Sequence, residues 1–312
     1  MISCTEFIPS YSELFSYLEE NHGEPEVRKF WTYLFEPTGK GIPLINFAKK
    51  DGLRGCWDYW KGTLTEEAAD VTKWMSQSGG WIYSKMHYCP SKGRLLELEK
   101  EIGLKPYHNY CGHCDYYRAS LEQVGLTWFR NHMNVDKAGC ESYLFDPKVF
   151  KGIVEPAEDM EVMDIKSAEQ EYFHRDFHSS LNMGIHYVGE NFGMEEVRAY
   201  LTRYTNNVYV PVFKDMEQRG LAAIEAKILD TYEKEKCPDA VKTTLDETGL
   251  LVEIAYCPAV KHLRATGRDV TPWYRYSTEI VMEVLAEKCG CTFVMDFYEE
   301  DTGKAQYRFV RD

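Results

Sequence analysis

The chain has 312 residues, of which 44% are hydrophobic and 28% charged, with a net charge of −14. These are values of a globular protein long enough to bury two cores. The acidity speaks against non-specific nucleic-acid binding and against docking on an anionic membrane, since both need a basic face. No stretch approaches the roughly 20 apolar residues of a spanning helix, and MISCTEFIPSYSELF lacks the basic and then apolar pattern of a secretory leader. A cytoplasmic protein is therefore expected, and in that compartment its ten cysteines are free thiols. The 22 tyrosines suit packed cores and pockets for small organic ligands.

In chain order, the first half reads as helices over Glu26–Leu34, Leu44–Lys50 and Leu53–Trp74 and a strand over Trp81–Cys89 closed by Pro90. A helical stretch then precedes two strands, Thr127–Asn134 and Glu141–Phe145. The second half repeats this order, with strands over Leu250–Cys257, Thr292–Tyr298 and Ala305–Val310 and a hairpin at Glu300–Gly303. The two halves also align residue by residue. Glu20, Asn21, Gly23, Val27 and Arg28 recur as Glu190, Asn191, Gly193, Val197 and Arg198, and Tyr88-Cys89-Pro90 recurs as Tyr256-Cys257-Pro258. Blocks in constant order with loop-sized shifts predict a tandem duplication. The expected fold is α+β: each unit is a helical layer plus a small antiparallel sheet, with the two units in a pseudo-two-fold arrangement. The expected units are residues 1–150 and 151–312, joined through Pro147–Ser167 with Pro156 in the connector.

The segment PYHNYCGHCDYY places His108, Cys111, His113 and Cys114 within seven residues, with His87 and Cys89 upstream and Cys140 downstream. If Tyr110–Val124 is a helix, Cys111 and Cys114 stand in its first turn, where the macrodipole lowers a thiol's pKa. Zinc takes about four N or S ligands, so Cys89, His108, Cys111, His113 and Cys114 are metal-ligand candidates. A reactive thiolate without metal and a set of packed thiols with incidental histidines stay open beside that reading. Cys111, His113 and Cys114 align with Ser277, Glu279 and Ile280; a requirement of the fold would stand in both copies, and this cluster stands in one.

Lys166–Gly189 reads as a helix with a Phe173, Phe177, Leu181 stripe. His174 and His178, four apart, share a face of it as paired metal ligands or as general base and acid, while Asp176 is expected to face away. Farther on, Tyr274, Arg275 and Glu279 are candidates for a substrate pocket, Arg275 holding a carboxylate. No Gly-rich phosphate loop or serine-nucleophile elbow occurs, so no nucleotide cofactor is expected.

The strings His174-Arg175-Asp176-Phe177-His178, Tyr256-Cys257-Pro258-Ala259-Val260 and Tyr110-Cys111-Gly112-His113-Cys114-Asp115 resemble the L-2-amino-thiazoline-4-carboxylic acid hydrolase-like family in a two-unit form. The closing strands also resemble, more distantly, the 4-vinyl-reductase-like ligand-binding domains. The resemblance implies hydrolysis of a C–N bond in a small cyclic, carboxylate-bearing substrate. The expectation is thus a metal- or thiolate-dependent enzyme with Cys111, His113, Cys114, His174 and His178 at its centre. A divalent metal would be zinc first, with iron or manganese as alternatives, and the oligomeric state is open. The alternative is a small-molecule-binding module with a structural metal and an aromatic pocket.

Overall fold

The computed structural model describes residues 1–35, 43–153 and 158–311; Pro156 of the connector lies outside them. The fold is α+β. The helices are α1 (Phe7–His22), α2 (Glu24–Leu34), α3 (Leu44–Glu66), α4 (Pro90–Ile102), α5 (Tyr117–Glu122), α6 (Phe177–Phe192), α7 (Met194–Val208), α8 (Val210–Arg219), α9 (Leu221–Lys234), α10 (Pro258–Ala265) and α11 (Tyr276–Cys289). The strands are β1 (Asp70–Ser76), β2 (Trp81–Tyr88), β3 (Thr127–Asn131), β4 (Cys140–Phe145), β5 (Glu161–Ile165), β6 (Val241–Leu245), β7 (Gly249–Ile254), β8 (Cys291–Tyr298) and β9 (Ala305–Arg311).

Two compact units result. The N-terminal unit comprises residues 18–100 and 105–174; the C-terminal unit comprises 175–312 with 1–17 and 101–104. These bounds do not coincide with a boundary at 150/151: β5 pairs with β1 in the N-terminal sheet, and residues 1–17 cluster with the second half of the chain.

In the N-terminal unit five antiparallel strands run in the order β3-β4-β2-β1-β5. The long helix α3 covers one face of this sheet. Its Cys56, Trp57 and Trp60 join Val71, Met75, Ile82, Trp128 and Leu144 in one apolar core, with Trp60 stacked on Trp128 at 5.1 Å. The expected helix over Leu53–Trp74 is corrected here: it stops at Glu66, Ala68 turns the chain at φ 53, and Asp70–Ser76 is a strand. The alternation of buried residues along that strand includes Lys73, so it is not visible as apolar periodicity. Lys73 is 2% exposed, and its ammonium lies 4.2 Å from the Trp60 ring centre.

In the C-terminal unit the strand order is β6-β7-β9-β8, again antiparallel. Residues Phe7 to Tyr17 of α1 pack on α6 and α7. Phe7 stacks on Phe177 at 4.5 Å, the Tyr200 hydroxyl donates to the Ser10 carbonyl at 2.9 Å, and Arg203 donates to Glu13 at 2.8 Å. The order of helices and strands from α1 to β4 recurs from α6 to β9. Gly52, at the kink inside α3, has φ 56 and ψ −128, and Gly220, between α8 and α9, has φ 55 and ψ −130. This conformation strains any side-chain-bearing residue, so glycine is kept at both positions.

Burial lowers the Lys73 pKa from 10.5 to about 7, against the opposing pull of Cys56 and Cys140. Between these values the unfolded chain holds one more proton than the folded one, so this residue makes stability rise with pH across that window, by at most about 1.4 kcal/mol per pH unit. Urea unfolding from about pH 7 to pH 10 should show this rise, and Lys73→Met should be the more stable protein at pH 7 with a flatter profile.

Candidate functional site

The C-terminal unit buries a compact polar group. Glu235, which caps the end of α9, is 2% exposed. Its Oε1 accepts from the Cys4 backbone N–H at 2.7 Å and the Ser3 hydroxyl at 2.8 Å, and its Oε2 faces Nε2 of His178 at 3.0 Å. His178 lies in the first turn of α6, and its Nδ1 is buried with no hydrogen-bond partner. Ser3 also caps the short 3-10 helix Cys4–Glu6 in a reciprocal capping box with Glu6, which presents the Cys4 N–H to Glu235. Among the described residues, Cys4, His178 and Glu235 are the one group of Cys, His and acidic side chains able to place three ligand atoms within 4.8 Å of one another.

The electrostatics follow from this packing. Burial alone would raise the Glu235 carboxyl, but the His178 charge and the hydrogen bonds from His178, Cys4 and Ser3 override it and hold the pKa down to about 2. The Cys4 thiol is pushed far up, first by burial and then by the Glu235 charge, so without a cation it stays protonated. Around this group Cys257 is a buried thiol raised by desolvation, and the hydroxyls of Tyr274 and Ser277 are buried without partners. Asp176, expected to face away, accepts instead from Arg268 and lies 3.1 Å from Nε2 of His262, whose ring is 6.5 Å from that of His178.

Of the sequence candidates, His178 enters this group and His174 does not. Helix α6 starts at Phe177, so the two histidines do not share a helix face; His174 sits in the N-terminal unit with Nδ1 2.7 Å from Glu66. Tyr274 is sealed, and Arg275 is paired with Glu279 at 2.9 Å and Glu300 at 3.8 Å.

The N-terminal unit gathers the thiols. Tyr110–Tyr116 is a 3-10 helix, not the start of an α-helix, and burial raises the pKa of Cys111 and Cys114 where a helix N-terminus was expected to lower it. Burial also raises Cys89 to about 12 and lowers His113 to about 4. Arg130, at the end of β3, donates to the Cys111 carbonyl at 2.9 Å and to Cys140 Sγ at 3.5 Å and hydrogen-bonds Cys114. His113 Nε2 is 3.5 Å from Cys114 Sγ. His108 is apart from the thiols, paired with Glu19 at 2.8 Å. Beside the cluster opens a cleft of about 620 Å³, lined among others by Arg28, Trp31, Lys92, Cys111, Tyr116 and His132.

Comparison with known proteins finds no matching protein family, no matching curated protein and no matching solved structure. Cys4 and Glu235 escaped the sequence reading: one is a lone cysteine in an apolar stretch and the other lies in the charged run Glu233–Lys236. No local pattern links them.

Because the Glu235 pKa is depressed, its interactions stabilise the fold above the unfolded-state value near 4.5 and are lost as pH falls towards 2. Glu235→Ala leaves His178, the Ser3 hydroxyl and the Cys4 N–H without their acceptor and should cost about 3–5 kcal/mol in urea unfolding at neutral pH. Glu235→Gln should remove the part of the acid-induced loss of stability that falls between about pH 4.5 and pH 2.

Proposed function

We propose that the chain is a metal-dependent, hydrolase-like enzyme acting on a small molecule, with its centre at Cys4, His178 and Glu235. The observation that carries this reading is the buried Cys, His and Glu donor set. Sulfur, imidazole and carboxylate are the ligand types of zinc, and three protein ligands with a position left open distinguish catalytic from structural sites. The His178 Nε2 to Glu235 Oε2 separation of 3.0 Å is near the roughly 3.3 Å between two N or O ligands on one tetrahedral zinc. The high-pKa Cys4 thiol is a group that a cation would satisfy. Zinc suits the set first, with iron or manganese as alternatives. When bound, such an ion supplies Lewis-acid polarisation of a substrate and lowers the pKa of water.

The chain's own residues set up this chemistry. The Ser3 hydroxyl and the Cys4 N–H hold the Glu235 carboxylate, and the carboxylate in turn fixes the His178 ring. Arg268, gathered with His262 by Asp176, places a guanidinium close by, suited to an acidic substrate. The substrate class, a small cyclic carboxylate with a hydrolysable C–N bond, rests on the family resemblance. The net charge of −14 fits a small-molecule substrate better than a nucleic-acid one.

The 620 Å³ cleft of the N-terminal unit favours a second reading, a ligand-binding module whose aromatic and basic lining takes an organic anion. We also propose that the two halves arose by duplication. That reading is supported by the recurring element order and the matched glycine conformations.

The test is zinc binding by the intact chain in a Cys111→Ser, Cys114→Ser background, which removes thiols of the other cluster. One equivalent should bind, and Cys4→Ser, His178→Ala and Glu235→Gln should each weaken it by at least about tenfold, with loss of turnover on cyclic thiazoline or amidine carboxylates. Absence of stoichiometric metal, or binding indifferent to all three changes, would sink the reading.

A further inference from the structure

We propose that Cys89, Cys111, Cys114 and Cys140 form the site of an iron–sulfur cluster in the N-terminal unit. The four thiols come from separate elements: the β2–α4 junction, the 3-10 helix Tyr110–Tyr116 and the start of β4. The backbone brings them together. The Cys89 N–H donates to the Ala138 carbonyl at 2.7 Å, two residues before Cys140, and Cys140 pairs with Met86 across β2 and β4. Arg130 then reaches in from β3, holding the Cys111 carbonyl and the Cys140 and Cys114 sulfurs.

Charge is the first argument for a cluster. Arg130 pairs with no carboxylate among the described residues, since Asp115 beside it is taken by His132 at 2.8 Å. A part-buried guanidinium whose hydrogen bonds go to a carbonyl and to sulfur has no counter-charge among its hydrogen-bond partners. Four thiolates on an iron–sulfur core supply the missing negative charge, and the guanidinium N–H groups become donors to sulfur, an interaction that tunes such clusters.

Spacing is the second. A single tetrahedral zinc draws its ligand sulfurs to within about 3.8 Å of each other, yet no three ligand atoms of this group come within 4.8 Å among the described residues. A polynuclear core carries its thiolates on the outside, farther apart than one ion does. The cleft beside Cys111 supplies a way in. In the C-terminal unit the positions matched to Cys111 and Cys114 are Ser277 and Ile280, so this architecture closes without the cluster. On assembly each thiol releases one proton as its sulfur bonds iron, four in all, with equal amounts of ferrous and ferric iron and with sulfide as the co-reactants, so the mixed-valent core forms without a further oxidant.

Anaerobic incubation of the full chain with equal amounts of ferrous and ferric iron and with sulfide tests this. The expected product has visible charge-transfer absorption, contains iron and acid-labile sulfide in equal amounts, and loses both in Cys114→Ser and Cys140→Ser. Cys111→Ser gives a further variant, since Cys111, Cys114 and Cys140 are all partly exposed. Cys257→Ser, His178→Ala and Glu235→Gln should keep the cluster, which separates this outcome from failure of the metal centre in the other unit. Stoichiometric zinc without sulfide, no bound iron, or a cluster that survives the serine changes overturns the proposal.

Discussion

The Glu235 carboxylate is the interaction on which the C-terminal unit depends. One buried side chain accepts from the Ser3 hydroxyl and the Cys4 backbone and pairs with His178, so it ties residues 1–6, the start of α6 and the end of α9 into one structure. A buried carboxylate is tolerated only when its lone pairs are filled and an opposite charge is near. The consequence is that in the proposed centre stability and chemistry would share the same atoms: the carboxylate that holds the His178 ring also holds the chain segment that carries Cys4.

The elements that read clearly from sequence are those with visible periodicity. Strands β2, β4, β8 and β9 were legible because their apolar alternation ends at proline or glycine, and the α+β class followed from them. Strand β1 was hidden because its inward-facing positions include Lys73, whose cation lies over Trp60, and strand β6 alternates charged and small polar residues, Val241-Lys242-Thr243-Thr244. The histidine pair misled for a related reason. Spacing by four implies a shared face only inside a helix, and Arg175-Asp176 is a turn that starts α6 one residue before His178.

The site was half legible. His178 stood out because histidines are few and it follows an apolar stripe. Cys4 and Glu235 did not, since their roles come from contacts over 231 residues of sequence separation, and a glutamate in Glu-Lys-Glu-Lys has the local pattern of a solvated helix end. Even the CGHC string, the plainest motif, was readable only as a gathering of ligand types. Its conformation and the rise of its thiol pKa values come from burial in the N-terminal unit, a tertiary effect that outweighs any helix-terminal lowering.

The two units treat the Cys-Pro step that opens a helix in opposite ways. In each, a cysteine precedes a proline that opens a helix, α4 or α10, and donates its N–H to a loop carbonyl, Ala138 at 2.7 Å or Thr302 at 2.9 Å. Around Cys89 the unit assembles three more thiols and a guanidinium. Around Cys257 it assembles tyrosines instead, with Tyr232, Tyr274, Tyr298 and Tyr307 near that sulfur. A thiol among neutral hydroxyls stays protonated and packs as an apolar group; beside Arg130 the guanidinium opposes burial, but burial is the larger effect and still raises Cys111, Cys114 and Cys140. Similar backbone contacts therefore surround a sealed thiol among tyrosines in one unit and a gathering of thiols beside Arg130 in the other, and the difference lies in whether the neighbouring strand contributes a cation.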